Sequence, residues 1–386
     1  MPGKLTVRPV ETAAERTAFI HFQWTVYKND PFWVPPLLSE REAFFDPVDG
    51  HPFHRHAKVR YFMAFRDEKP VGRIAAFINY RHNEYWDEEI GSFGHFEVLE
   101  DREAAEALLE TAEAFVRDEG MTAIRGPLNF STNEEIGLLV EGWNGPPVIM
   151  MTYNPRYYVD FIAGAGYEKV MDVLAYTTDL TQYKPDGTGI NPKLLRVARK
   201  VKERYDITVR PVDMRHFDEE AQRIKEVYHQ AWSKNWGFVP LTDAEMNNLA
   251  HEIRQFMDPK VTFIAEKGAR PIAFMLPFPD LCQPLLRAYP RPGEPEWWTM
   301  VKLLYWWKVR GAITTIRAAL GGIVEEYHGR GVDAVLFLET LLAGLRQGYK
   351  RLEISWVLET NQPMRQTAAI FDGEPYRTYR IYEKSV

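Results

Sequence analysis

The feature that most narrows the fold is a hexapeptide used twice. Leu5 to Val10 reads LTVRPV and Ile207 to Val212 reads ITVRPV, 202 residues further on. More matches follow in the same order. Tyr61 to Ala75 parallels Phe263 to Ala273, with Pro70 set against Pro271. Leu109-Glu110-Thr111 recurs as Leu338-Glu339-Thr340, Gly120 as Gly348, and Asn133 as Asn361. Between the early and late pairs the offset grows from 201 to 228, so the second copy carries an insertion, placed at 277–310. A period this long means one supersecondary plan used twice rather than a short-repeat solenoid. Each copy reads β–α–α–β–β–β–α–β–α–β, an α/β unit whose mixed, mostly antiparallel sheet is flanked by helices. The breaker-rich stretch KPDGTG lies in a linker at 184–191, which divides an N-terminal unit, 1–183, from a C-terminal unit, 192–386.

Composition excludes several classes. With a net charge of −7 the chain lacks the basic face a nucleic-acid binder needs. Its single cysteine, Cys282, rules out an intrachain disulfide and suits a reducing, cytoplasmic setting. MPGKLTVRPV has no apolar core of a signal peptide, and no apolar run reaches the roughly 18 residues of a membrane helix. His51, His54 and His56 crowd one segment, but their spacing matches no zinc pattern, so no metal is expected.

In the second copy, Ile313 to Val324 is an apolar run with β-branched residues, as a buried strand should be. His328-Gly329-Arg330-Gly331 then makes a glycine turn. From Val332 the period turns helical: Val335, Leu338, Leu342 and Leu345 share a face and Gly348 can end the helix. A glycine turn opening a helix presents unpaired N–H groups and the positive end of the helix dipole, a setting for phosphate. No Gly-Lys-Ser/Thr follows, so the turn is not a Walker loop, and Ala334 stands where a dinucleotide fingerprint needs its third glycine. The first copy has Val98-Leu99-Glu100-Asp101-Arg102-Glu103 at this place, with three acids and no glycine. A phosphate-bearing cofactor therefore belongs to the second copy.

The strand, glycine turn, helix, strand and asparagine of copy two resemble the acyl-CoA turn of the GNAT N-acyltransferases. That family writes the turn Gln/Arg-x-x-Gly-x-Gly/Ala; here it runs His328-Gly329-Arg330-Gly331-Val332-Asp333, departing at both outer positions. The resemblance covers nearly the whole chain as two tandem GNAT-like units. Asn79 to Asn83, GSFGHFE at Gly91 to Glu97, Arg125 to Asn129 through Leu139, and MTYNPRYY at Met151 to Tyr158 resemble a bacterial branch of such proteins. It implies that acetyl-CoA or a longer acyl-CoA lays its diphosphate on the amides of Gly329, Arg330, Gly331, Val332 and Asp333. The pantetheine arm would pair along the preceding strand, an amide at Ile323 or Val324 would polarise the thioester carbonyl, and Asn361 would touch the cofactor.

Acyl transfer to an amine needs a base and an acid. Glu325 and Glu326, at the strand end before the turn, are the candidate bases, against a reading as solvated turn residues. The family's acid position falls on Ala368, leaving Tyr376, Tyr379 and Tyr382 as alternatives. In copy one, Asn129, Ser131, Asn133, Glu134, Tyr153 and Asn154 form a polar loop region, candidate contacts for a small-molecule or lipid-like amine. The insertion holds EPEWWTMVKLLYWWKV. It reads first as a core-packing aromatic helix, with a lid over a long acyl chain or peripheral contact with a membrane surface as alternatives. The expected activity is acyl-CoA-dependent N-acyl transfer, beside two alternatives: a non-catalytic acyl-CoA or lipid sensor, and an aminoacyl-tRNA-dependent ligase of tandem GNAT-like type.

Overall fold

The computed structural model describes residues 3–386. Among the described residues, thirteen strands run β1 (Leu5–Pro9), β2 (Ala57–Arg66), β3 (Lys69–Asn79), β4 (Ile90–Val98), β5 (Ala123–Gly126), β6 (Leu138–Glu141), β7 (Glu168–Asp179), β8 (Ile207–Pro211), β9 (Phe263–Lys267), β10 (Arg270–Pro279), β11 (Thr315–Ile323), β12 (Arg351–Leu358) and β13 (Glu374–Ser385). They fall into two compact units. The first holds Met1–Asp172, Cys282–Arg310 and Arg377–Val386; the second holds Val173–Leu281 and Gly311–Tyr376.

In the first unit β1, β2, β3 and β4 pair antiparallel in order, β4 pairs parallel with β5, and β13 runs antiparallel to both β5 and β6. In the second unit β8, β9, β10 and β11 pair antiparallel, β11 pairs parallel with β12, and β7 runs antiparallel to β12. The two hexapeptides become β1 and β8, each the first strand of the same series, so the repeat in sequence is a repeat in topology. The sheets are mixed and mostly antiparallel, as the element order implies.

The units do not follow the sequential split at 184–191. The strand beyond β5 comes from the chain's last residues, and the strand beyond β12 comes from the first half, so each copy's final strand closes the other copy's sheet. Residues 282–310 of the insertion also pack within the first unit, where the Trp24 indole donates to the Pro290 carbonyl at 2.8 Å.

Helix Arg102–Asp118 seals the first sheet with Ala104, Ala105, Leu108, Leu109, Ala112 and Val116, all solvent-free. Each leucine buried this way contributes about 1.5–3 kcal/mol. Helix Val332–Gln347 plays that part in the second unit but is buried on more than the one stripe read from sequence, Leu336, Phe337 and Leu341 included. The reason lies on its outer side. Basic helix Pro192–Tyr205 packs Leu194, Ala198 and Val201 inward, and its Lys202 Nζ reaches Glu339 at 3.1 Å.

Candidate functional site

The glycine turn forms as expected. Gly329 and Gly331 take φ of +67° and +83°, left-handed values that suit glycine, and Gly331 caps helix Val332–Gln347. The turn is fixed at two points. Arg330 lies 5.3 Å from the ring centres of both Tyr205 and Tyr327, a cation–π clamp. His328 Nε2 donates to the Ile323 carbonyl at 2.8 Å, which sets the Nε2–H tautomer and ties the turn to the strand end. Histidine at this outer position thus has a structural reason. Asp333, the other departure, accepts from Thr367 Oγ at 2.7 Å, which holds its carboxylate toward helix Gln362–Ile370.

Upstream, β11 and β12 stay in register from Thr315/Arg351 to Ala318/Ile354 and then part. Both strands are distorted there: β11 slips against β10 at Leu276/Pro277, and β12 slips against β7 between Ile354 and Val357. Val324 donates its N–H to the Ile272 carbonyl at 2.9 Å, so its amide is already committed within the sheet. By the antiparallel alternation, Ile323 and Gly321 face the opposite, open edge. Their carbonyls are covered by His328 and by the Trp232 indole N–H, the latter at 2.9 Å from Gly321 O.

Glu325 and Glu326 open a short 3-10 turn between β11 and the glycine turn. Both are exposed and ion-paired, Glu325 with Lys234 at 2.6 Å and Glu326 with Arg270 at 3.1 Å. The hydrogen bond from Lys234 holds the Glu325 carboxyl below its usual range, which weakens it further as a base. Asn361 caps helix Gln362–Ile370, accepting from Met364 N at 3.1 Å.

Where the strands begin to part, a buried polar cluster stands that sequence order did not reveal. Glu353 accepts from Tyr376 Oη at 2.6 Å and from Ser355 Oγ at 2.9 Å. Arg317 Nε donates to Ser355 Oγ at 2.8 Å and its guanidinium lies 4.9 Å from the Trp356 ring. Of the three tyrosines left open as acids, Tyr376 alone belongs to the second unit. The only hint in sequence was the alternation Glu353-x-Ser355 inside an otherwise apolar strand.

Directly under the same sheet, an apolar cavity of about 390 Å³ lies between helices Phe217–Trp232 and Asp243–Phe256 and strands β10 and β11. Met246, Leu249, Ile253, Phe274, Leu276 and Leu320 line it, together with polar residues that include Glu220, Lys225, His251 and Arg254.

In the first unit the corresponding parting is closed. Leu128 N donates to the Phe93 carbonyl at 2.8 Å, and Asn129 Oδ1 accepts from His95 N at 2.9 Å. A Cβ on Gly94 would sit 1.6 Å from the Leu128 carbonyl oxygen, so the two backbones meet there. Of the six acceptor candidates, several hold the scaffold. Asn129 Nδ2 also donates to Glu135 at 3.1 Å, Asn154 clamps Leu139 N at 2.8 Å, and Tyr153 Oη reaches Asp30 at 2.9 Å. Ser131 Oγ accepts from Asn133 N at 3.2 Å, and Glu134 pairs with His51 at 3.2 Å. Among the described residues no group of three or more His, Cys, Asp or Glu is placed to hold a metal.

His95 and Glu97 stand out instead. Glu97 is buried and accepts from Gln23, Tyr27 and Tyr158 at 2.8–2.9 Å, with Arg73 3.9 Å away. Burial raises its pKa, against the pull of Arg73. His95 lies edge-on to Phe45, 4.7 Å between ring centres, and its Nε2 has no hydrogen-bond partner among the described residues. Burial first, then the charges of Arg73 and Arg41 and of His54 and His51, hold its pKa well below the usual histidine value. The unfolded chain takes up this proton near pH 6.5 and the folded chain does not. Stability from His95 is therefore present above pH 6.5 and is lost as pH falls toward the folded value, at up to about 1.4 kcal/mol per pH unit. A His95→Gln variant should flatten the slope of unfolding free energy between pH 6.5 and 5 relative to the parent. Parallel slopes in denaturant titrations would show that the imidazole is not held neutral.

No protein-family model matches the chain. It is 33% identical over 389 residues to the bacterial ceramide synthase of Caulobacter vibrioides (strain NA1000 / CB15N), covering 99% of this chain and 98% of that one. It is 32% identical over 377 residues to protein YghO of Escherichia coli (strain K12), covering 96% and 92%. Among solved structures, a tandem GNAT protein from the clavulanic acid biosynthesis pathway superposes with a TM-score of 0.56 at 14% identity, over 99% of this chain and 98% of that one. A GCN5-related N-acetyltransferase from Sphaerobacter thermophilus gives 0.54 at 13% identity, over 100% and 96%. These two share the fold; the two sequence relatives share the family. The chain has the fold of the tandem GNAT proteins and belongs to the family that includes protein YghO and the bacterial ceramide synthase.

Proposed function

We propose that the protein transfers a fatty acyl group from coenzyme A to the amino group of a long-chain, lipid-like amine. The observation that carries this reading is the apolar cavity of about 390 Å³ beneath β10 and β11, the sheet that also bears the glycine turn. Its volume falls within the range of about 300–1,000 Å³ common to ligand pockets, and its apolar lining suits a hydrocarbon chain better than an acetyl group. The name of the Caulobacter relative points the same way, since a ceramide is an amide of a fatty acid with a long-chain amino alcohol.

In this reading the amides from Gly329 to Asp333 hold the coenzyme's diphosphate at the helix N-terminus. The N–H of Ile323 on the open edge receives the oxygen charge of the tetrahedral intermediate. The neutral amine attacks the thioester carbonyl, the C–N bond forms and the C–S bond breaks. Tyr376 gives its hydroxyl proton to the departing sulfur and regains one from the new ammonium, so the amine's proton ends on the thiol. Glu353 orients that hydroxyl throughout. Tyr376 and Glu353 thus take the place proposed from sequence for Glu325 and Glu326. Asn361 is left with its amide nitrogen for the cofactor. Within the N-terminal unit, Ser131, Asn133 and Glu134 remain candidate polar contacts for an amine, and Asn129, Tyr153 and Asn154 position their loop.

Release of free thiol from acyl-CoAs of graded length, with a long-chain amino alcohol as acceptor, tests the proposal. Each methylene buried contributes about 0.8 kcal/mol, so kcat/KM should rise about fourfold per methylene until the cavity is full. Met246→Trp should move the optimum to shorter chains. Equal rates with acetyl and long-chain donors would sink the assignment.

A further inference from the structure

The insertion overturns its first reading. Helix Glu296–Leu304 continues into a π-helical turn, Tyr305–Val309, and its inward face is narrow, with Thr299 and Leu303 buried. The aromatic face points out. Trp297 is 68% exposed and Val309 72%, with Trp298, Val301, Leu304 and Tyr305 exposed between them. These positions recur at spacings of three and four, so they form one continuous stripe along the helix. An apolar stripe of this kind on the outside marks an interaction surface rather than a core.

Charge around the stripe names the partner. Although the whole chain carries −7, residues 282–310 hold five cations against two carboxylates. Both carboxylates are engaged inside the unit: Glu294 with Lys302 at 2.9 Å and with Thr299, and Glu296 with Ser39. The other four cations, Arg287, Arg291, Lys308 and Arg310, are all exposed. Three of them lie over the tryptophans of the π-helical turn: Lys308 is 3.7 Å from the centre of the Trp307 ring, and Arg287 and Arg310 are 5.4 and 6.0 Å from that of Trp306. A stripe of tryptophan, tyrosine and aliphatic side chains rimmed by lysine and arginine matches the interfacial layer of an anionic bilayer: rings settle at headgroup depth and cations meet lipid phosphates.

We propose that helix Glu296–Leu304 and the turn after it dock the protein on an anionic membrane surface, lying in the interface. Among the described residues no helix is long and apolar enough to cross a membrane, so the contact is peripheral. The docking stands on the insertion alone and does not depend on the reaction proposed above.

Flotation of the full chain with vesicles of phosphatidylcholine, with and without 30 mol% phosphatidylglycerol (about one lipid in three, enough for a marked surface potential), tests it. Binding should be at least tenfold stronger with the anionic lipid, fall with added salt, and shift tryptophan emission to the blue. The triple variant Trp297→Ser, Trp298→Ser, Val301→Ser should lose tenfold or more, as should the pair Lys308→Glu, Arg310→Glu. Both sets change exposed groups, so thermal unfolding should match the parent, and the charge pair leaves the apolar stripe whole should the triple variant fold poorly. No vesicle binding, or binding that neither set alters, would overturn the proposal. So would a dimer that the triple variant dissociates without any lipid binding, which would make the stripe an interface between two copies.

Discussion

Gly329→Val should lower the affinity for coenzyme A about 100-fold or more while leaving the fold intact. At +67° the glycine sits where a β-branched residue is strained by about 1–2 kcal/mol. Nothing lies within 4 Å of a Cβ built there, so the side chain meets no core and unfolding is not expected. What the strain disturbs is the direction of the amides at the helix start. Hydrogen bonds to a charged group contribute about 1.5–3 kcal/mol each, and losing two of them is worth at least a hundredfold in affinity. Gly348→Val is the matched control. Gly348 ends the same helix at φ +84°, and a Cβ there also meets nothing within 4 Å, so it carries the same strain at the far end. Calorimetry with coenzyme A should show the loss for Gly329→Val alone. Parental affinity in both variants would remove the turn as the anchor, and with it the donor half of the mechanism.

The glycine turn was legible because its signal is local. Two glycines before a helical period fix φ, the cap and the direction of the amides within a few residues. The duplicated plan was legible too, since LTVRPV and ITVRPV become the first strands of two series that pair in the same order. Two larger features depend on contacts that sequence order does not encode. One is which sheet a final strand closes: β13 fits the edge of β5 and β7 the edge of β12, and nothing in their alternation tells one acceptor edge from the other. The other is the sense of the insertion. Its periodicity defines two faces, but thirteen per cent aromatic residues across the chain made the tryptophan face look like core. Only the packing of Thr299 and Leu303 inward decides it. The partners of Glu325 and Glu326 were hidden for a related reason. Closeness in sequence to the turn says nothing about where a side chain points, and theirs point to Lys234 and Arg270.

Tyr376→Phe carries the second large effect, a fall in kcat of about 10²–10⁴, the usual contribution of a positioned acid or base. Glu353 and Tyr376 are 23 residues apart, and their 2.6 Å hydrogen bond brings the hydroxyl to the last paired residues before β11 and β12 separate. The variant leaves Glu353 buried with one donor fewer, at a cost of about 1–3 kcal/mol, so some loss of thermal stability is expected and does not itself count as support. Three readouts separate proton transfer from damage to the scaffold. Coenzyme A should bind as tightly as to the parent, because the diphosphate anchor lies elsewhere. The effect should appear in kcat rather than in KM for the donor, since the hydroxyl acts when the C–S bond breaks. The deficit should also shrink with an acyl donor whose thiol is more acidic, because a better leaving group needs less help from an acid. Glu353→Gln, which keeps an acceptor for the hydroxyl, should fall less than Tyr376→Phe. A kcat that follows stability alone, indifferent to the leaving thiol, would make the Glu353–Tyr376 pair a structural bond and send the search for the proton donor elsewhere.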